Sequence, residues 1–261
     1  MQVVLATDGS RSASVAIAFV AERTWRSGTR VRVVAVDDAY GAATSELQAH
    51  LVVAAGSLAA AGLEVETVVR VGRAATAILD EASACTADLA VVGNRGHGRI
   101  ESMLLGSVSG EVVDRAHCSV LVVRGERADR IVVAVDGSAG AREVPRFLCA
   151  SEAFEGSSAL VISVSRGKSP WPPNLDLGAA RAATRAADHL RRCGVPAERE
   201  VLVGEPAAAI VERATSAAAD LVAVGARGLS RLRRLWLGSV ARNVVVYAPC
   251  SVLIVRRPSG A

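Results

Sequence analysis

The feature that most restricts how this chain can fold is that its sequence is written twice. VVLATDGS at Val3–Ser10 returns as VVAVDGS at Val132–Ser138. VGRAATAILDEASACTADLAVVGNRG (Val71–Gly96) returns as VGEPAAAIVERATSAAADLVAVGARG (Val203–Gly228), and AHCSVLVVR (Ala116–Arg124) as APCSVLIVR (Ala248–Arg256). Asp8 recurs as Asp136, a shift of 128; Gly93 recurs as Gly225 and Cys118 as Cys250, a shift of 132. The second copy therefore gains length in its first half, and the Pro-rich, turn-like SRGKSPWPPNLDLG (Ser165–Gly178) is the place for it. Residues 1–125 and 129–257 read as two tandem domains of ordinary size, joined by the short charged RGERADR (Arg124–Arg130).

Within the first copy, apolar runs of strand length alternate with helical patterns. Strands are expected at Gln2–Thr7, Arg30–Asp37, Glu64–Val71, Leu89–Gly93 and Ser119–Arg124. Helices are expected near Ser12–Arg26, Ser45–Ala61, Ala74–Thr86 and Ser107–Ala116. Aromatic residues are only 3% of the chain while 51% is apolar, so the core must be built from Val, Leu, Ile and Ala. Unbroken valine runs such as VRVVAV suit strands buried on both faces. The expectation is an α/β fold of two tandem doubly wound domains, each a five-stranded parallel sheet with helices on both faces.

In such a sheet, ligands bind outside the carboxyl ends of the strands. Two elements fall there. ATDGS follows the first strand, with Gly9 and Gly137 permitting a sharp turn and Ser10 and Ser138 placed to cap the next helix. A loop G-x2-G-x9-G-S follows the fourth strand: Gly93, Gly96, Gly106 and Ser107 in the first copy, Gly225, Gly228, Gly238 and Ser239 in the second. Glycines let backbone N–H groups approach an anion, and a helix opening at Gly-Ser attracts phosphate. Arg95 and Arg99, and in the second copy Arg227, Arg231, Arg233 and Arg234, could add charge-assisted bonds. Asp8 and Asp136 could accept from a ribose hydroxyl or an adenine amine; the plainer reading is that each helps cap the following helix.

These residues in combination, ATDGS, the glycine loop continued by VS, and CSVLVVR, resemble the universal stress protein family in its ATP-binding branch. The resemblance covers both halves of the chain. It implies an adenine nucleotide α-hydrolase-like fold, binding of ATP (with Mg²⁺ as a companion ion), pairing through the terminal strands, and regulation of a stress response. By similarity, Ala6, Thr7, Asp8, Val36, Gly93, Gly96, Gly106, Ser107, Val108 and Ser109 would contact nucleotide in the first copy. The matching residues are Ala134, Val135, Asp136, Val164, Gly225, Gly228, Gly238, Ser239, Val240 and Ala241. The second copy departs by losing two hydroxyls, with Val135 for Thr7 and Ala241 for Ser109.

Other chemistry finds little support. GKS at Gly167–Ser169 lacks the upstream glycine of a P-loop, since Ile162 stands there. GNRGHG is not a dinucleotide fingerprint, and no Gly-x-Ser-x-Gly elbow is present. His50, His97, His117 and His189 are scattered, with no Cys/His spacing that suggests zinc. His97 has Leu229 as its counterpart, and Glu101 has Arg233, so neither reads as a catalytic group common to both copies. RGLSRLRRLW, with the single Trp236, is a poor nucleic-acid platform, and the net charge of +4 is mild. Five cysteines without a CxxC read as buried thiols in a reducing compartment. The start MQVVLATDGS lacks the regions of a signal peptide, and no apolar run approaches a membrane span, so a soluble cytoplasmic protein is expected. The expected function is a non-enzymatic, nucleotide-dependent regulator; a weak ATPase and a nucleotide-independent scaffold are the alternatives.

Overall fold

The structure, a computed structural model, describes residues 1–38, 44–96, 105–167, 176–228 and 237–257. They divide into two compact units, Met1–Glu126 and Arg127–Arg257.

The first unit runs β1 (Gln2–Thr7), α1 (Arg11–Ala21), β2 (Arg30–Asp37), α2 (Thr44–Ala60), β3 (Glu64–Val71), α3 (Ala74–Ala84), β4 (Leu89–Gly93), α4 (Ser107–Arg115) and β5 (Ser119–Val123). Its strands lie in the order β3-β2-β1-β4-β5, every described pairing parallel. The chain builds outward from β1 through β2 to β3, then returns to place β4 on the other side of β1. That reversal of direction opens a crevice between the carboxyl ends of β1 and β4. Helices α1 and α2 pack together, as do α3 and α4, and the two pairs cover the sheet. Leu5, Leu89 and Leu121 are fully buried, each contributing about 1.5–3 kcal/mol over exposure.

Edge strand β3 is dressed differently. Glu64 and Glu66 on it pair with Arg30 and Arg32 of β2 at 2.9 and 2.8 Å. Such charges make an open edge a poor template for further strands. Beneath this row, the Glu81 carboxylate of α3 is buried between Arg32, at 3.1 Å, and Arg70, at 2.5 Å. The bond to Glu66, ahead of the other carboxylates, lifts the Arg32 guanidinium still further above neutrality.

The second unit runs β6 (Arg130–Ala134), α5 (Ala139–Ser151), β7 (Ser158–Ser165), α6 (Leu177–Arg192), β8 (Ala197–Val203), α7 (Pro206–Ser216), β9 (Leu221–Gly225), α8 (Ser239–Tyr247) and β10 (Ser251–Val255). Its order, β8-β7-β6-β9-β10, reproduces the first, with parallel pairing throughout. Helix α6 is capped by Asp176, whose carboxylate accepts from the N–H groups of Gly178 and Ala179. The Ala179 bond first, then a bond from Ser165, holds that carboxyl below its usual range.

Two expectations need correction. Helix α1 ends at Ala21 instead of reaching Arg26. The Trp25 indole N–H donates to the Val20 carbonyl at 2.8 Å, which folds the chain back and buries the ring. The second correction concerns the cysteines. Cys149 of α5 and Cys193 at the end of α6 form a disulfide, their Cα atoms 5.8 Å apart, so they are not buried thiols. They stand 44 positions apart in the sequence, and only the packing of α5 on α6 brings them together. Cys85 and Cys118 are half-buried thiols outside the disulfide, and Cys250 is a buried one. Among the described residues, no helix is long and apolar enough to cross a membrane.

Candidate functional site

The crevice of the first unit is a cleft of about 860 Å³, within the range of small-molecule sites. Eleven of the residues singled out from the sequence in this copy line it: Ala6, Thr7, Asp8, Val36, Gly93, Arg95, Gly96, Gly106, Ser107, Val108 and Ser109. They come from the ends of β1, β2 and β4 and from the start of α4.

The turn after β1 is built from short-range bonds. Gly9 has φ +78°, and its N–H donates to Thr7 Oγ1 at 3.3 Å. The Asp8 carboxylate accepts from the Ser10 N–H at 3.0 Å, and Ser10 Oγ caps α1 by accepting from the Ala13 N–H at 3.2 Å. The capping role read for ATDGS is therefore present. It leaves Asp8 Oδ2 against Gly96, where a Cβ would come within 2.5 Å of it. Glycine at 96 keeps the carboxylate and the loop backbone side by side in the cleft.

The glycine loop is tied to this turn and to itself. The Arg95 N–H donates to Ser12 Oγ at 3.2 Å, and Ser10 Oγ reaches the Arg95 carbonyl at 3.5 Å. A Cβ on Gly93 would meet the Ser12 backbone at 2.9 Å, so the crossing needs glycine. At the far end the Gly106 N–H donates to the Asn94 carbonyl at 2.9 Å. Ser109 Oγ donates within the same closure, 3.0 Å from Asn94 O and 3.2 Å from Gly106 O. The Ser109 hydroxyl thus works to close the loop as well as lining the cleft. Residues between these anchors, including His97, Arg99 and Glu101, lie outside the described residues.

Two helix starts at the cleft lack side-chain caps. Gly106 precedes α4 and Arg73 precedes α3 without a capping side chain, and Ser107 and Ala74 both line the cleft. By contrast Ser10, Ser138, Asp176 and Glu205 cap α1, α5, α6 and α7. Uncapped N–H groups at a helix start are a ready anion site.

Several wall residues had no signal in the sequence. His50 of α2 sits over Gly9, occupying the space a Cβ there would need. Its Nδ1 is buried without a hydrogen-bond partner. Asp37, Asp38, Glu46 and Leu47 join it, from the end of β2 and from α2. No spacing rule links residues 37–50 to the glycine loop, because the fold and not the sequence makes them neighbours.

The Universal stress protein family profile matches residues 1–124 and again 127–256. The chain belongs to the universal stress protein family. A universal stress protein of Mycolicibacterium smegmatis is 30% identical over 214 residues, 75% of this chain and 70% of that protein. One from Thermus aquaticus is 35% identical over 133 residues, which is 48% of this chain but 97% of its own. The crystal structure of a universal stress protein from Archaeoglobus fulgidus superposes with a TM-score of 0.73 over 98% of both chains at 19% identity, a likeness of fold.

In this universal stress protein the second unit repeats the frame with fewer polar groups. Asp136 accepts from the Ser138 N–H at 2.9 Å, Ser138 Oγ reaches the Arg227 carbonyl at 3.4 Å, and the Gly238 N–H closes onto the Ala226 carbonyl at 2.8 Å. A Cβ on Gly228 would collide with Asp136 as one on Gly96 would with Asp8. Val135 is buried, and Val164 stands half-buried near the end of β7. Ala241 is buried without a hydroxyl to close the loop. Beyond the two losses expected, a third shows only in the structure: Gly140 replaces Ser12. A Cβ on Gly140 would come within 2.6 Å of the Arg227 carbonyl, so here the backbone itself closes onto the loop. Ala182 stands in place of His50, against Gly137. Ser239 and Val240 open α8, as Ser107 and Val108 open α4. Leu229, Arg231, Arg233, Arg234 and Trp236, and Lys168 and Ser169 of the GKS stretch, lie outside the described residues.

Proposed function

We propose that the first unit binds an adenine nucleotide, ATP in the full reading, and that the protein is a nucleotide-dependent regulator and not an enzyme. One observation carries this. Eleven residues singled out by sequence line a single cleft into which α4 opens uncapped. The phosphates are assigned to the α4 start and the backbone around Gly96 and Gly106, with Arg95 beside them. Asp8 accepts from ribose or base, and Val36 with its apolar neighbours covers the ring. Buried His50 Nδ1 offers a further polar contact. Main-chain donors of this kind hold phosphate but do not activate water, which is why binding and not turnover is assigned. A Mg²⁺ ion accompanying the phosphates belongs to the same reading, as does cytoplasmic residence. Self-association through the terminal strands, SVLVV in β5 and SVLIV in β10, belongs to the same reading.

Mass analysis of small molecules released from freshly purified protein is expected to find adenine nucleotide. Calorimetry with ATP is expected to show binding that a Gly96→Glu, Gly228→Glu double variant loses. Equal binding by that variant overturns the assigned site. Mg²⁺-dependent phosphate release would replace this reading with an ATPase, and absence of nucleotide binding would leave an interaction scaffold.

A further inference from the structure

A second cluster lies in the second unit, at the end of the strands away from the glycine loop. The helices run back against the strands, so the ends of α5 and α6 sit where the strands begin, away from the glycine loop. There Cys149 on α5 and His189 and Cys193 on α6 bring one sulfur or nitrogen each within 4.8 Å of one another. We propose that, once the Cys149–Cys193 disulfide is reduced, these three side chains bind a thiophilic divalent cation, with zinc as the probe, and that disulfide formation expels it.

The geometry suits the ion. His189 and Cys193 are four residues apart and share one face of α6; Cys149 faces them from the packed neighbour α5. A tetrahedral ion with Zn–S about 2.3 Å and Zn–N about 2.0–2.1 Å needs donors about 3.5–4 Å apart. Parting the two sulfurs and a small closure of the imidazole meet that requirement. Cys149 and His189 are half-buried and Cys193 is exposed, so an ion can enter without opening the core. Two thiolates and an imidazole form a soft donor set that selects zinc over magnesium or calcium. Three protein ligands leave one position for water, which marks an exchangeable ion and not a structural one.

Two thiolates balance the ion's charge. Burial first, then the guanidiniums of Arg192 and Arg146, holds the His189 imidazole below its ordinary range. The scaffold does not need these residues. At the matching positions the first unit has Ala21, Ser57 and Ala61, and the same helix pair packs there.

The redox step balances with an exogenous disulfide as oxidant. The two metal-bound thiolates and RSSR, with two protons, give the Cys149–Cys193 disulfide, two RSH and free Zn²⁺. The sulfurs lose two electrons to RSSR, and the zinc stays Zn(II). A dithiol or phosphine reductant reverses the step.

The test uses the full chain reduced with a phosphine under anaerobic conditions. Zinc is titrated against a chromophoric chelator, and cobalt is added separately to read thiolate-to-metal charge transfer. One zinc per chain is expected. Oxidised glutathione is expected to release it, with apparent affinity falling at least about 100-fold. Loss of one ligand should weaken binding by at least about 10–100-fold, the scale seen even for residues that only orient ligands. Cys149→Ala, Cys193→Ala and His189→Ala test this, with Cys118→Ser as the control that keeps binding. The two alanines are what the first unit already carries, and circular dichroism checks the fold. The glutathione arm needs no substitution. If reduced wild type binds no zinc, or if zinc binding survives either the cysteine changes or oxidation, the proposal fails and the pair is a disulfide alone. If only His189→Ala binds as wild type, the three-ligand assignment is overturned.

Discussion

Gly96 lies against Asp8 so closely that a methyl group in place of its hydrogen would meet the carboxylate at 2.5 Å. The same pairing holds between Gly228 and Asp136. Gly96→Ala must therefore push the aspartate or the loop aside. Under the proposed nucleotide reading, calorimetry should show ATP binding weakened at least about tenfold, since a shift of this size at a positioned contact costs at least about 1.4 kcal/mol. Unchanged binding would separate Asp8 from the ligand.

The two units fasten their loops by different means, and substitution should expose this. Ser12→Ala removes one bond to the Arg95 N–H and should cost about 1 kcal/mol. Gly140→Ala instead drives a Cβ against the Arg227 carbonyl and should cost about 1–3 kcal/mol. Urea unfolding of each variant, compared with wild type, gives the ranking. A harmless Gly140→Ala would mean that the backbone there is loosely held.

Asp176 should make α6 acid-sensitive. Its folded carboxyl titrates below the ordinary 3.8, because the charged form accepts from Ala179, Ser165 and Gly178. A depressed carboxylate contributes stability that is present above its unfolded value and is lost as pH falls through the folded one. The loss should thus fall below about pH 4, the unfolded value. Asp176→Asn keeps a capping oxygen and should flatten that part of the profile, while Asp176→Ala should cost about 0.5–2 kcal/mol at neutral pH. Thermal melts across the acid range check both.

Glu81 is 5% exposed, whereas its partners Arg32 and Arg70 reach water at 25% and 52%. Glu81→Ala leaves two arginines that solvent can still serve, so its cost should be about 1–3 kcal/mol, below that of splitting a fully buried pair. Glu81→Met, which fills the space with apolar atoms, should cost less than alanine does. The reverse order in urea melts would show that charge, not volume, governs this position. In the second unit the equivalent position is Arg213, paired with Glu200 at 2.7 Å, so the sign of the charge there is reversed.

Most of the fold was legible because it rests on local pattern. Four of the five strands of the first unit begin and end where valine runs and turn residues place them, and only the fifth is a residue shorter. Helix ends that depend on distant packing were not legible. Trp25 turning back on Val20 shortened α1 where periodicity alone ran on. The site divides the same way. Its glycines, Asp8 and the α4 start announce themselves by spacing within β–α turns. His50 and Ser12 do not, since their roles arise from a helix laid over Gly9 and from a loop crossing at Arg95. The grouping of Cys149, His189 and Cys193 was hidden for a like reason: α5 and α6 are neighbours in space, with β7 between them in the chain.

The closure of Asn94 on Gly106, matched by Ala226 on Gly238, gives both units a clasp of identical span. The four residues that the second copy gains therefore fall outside the clasp, and the loop of each unit is measured from the same two anchors.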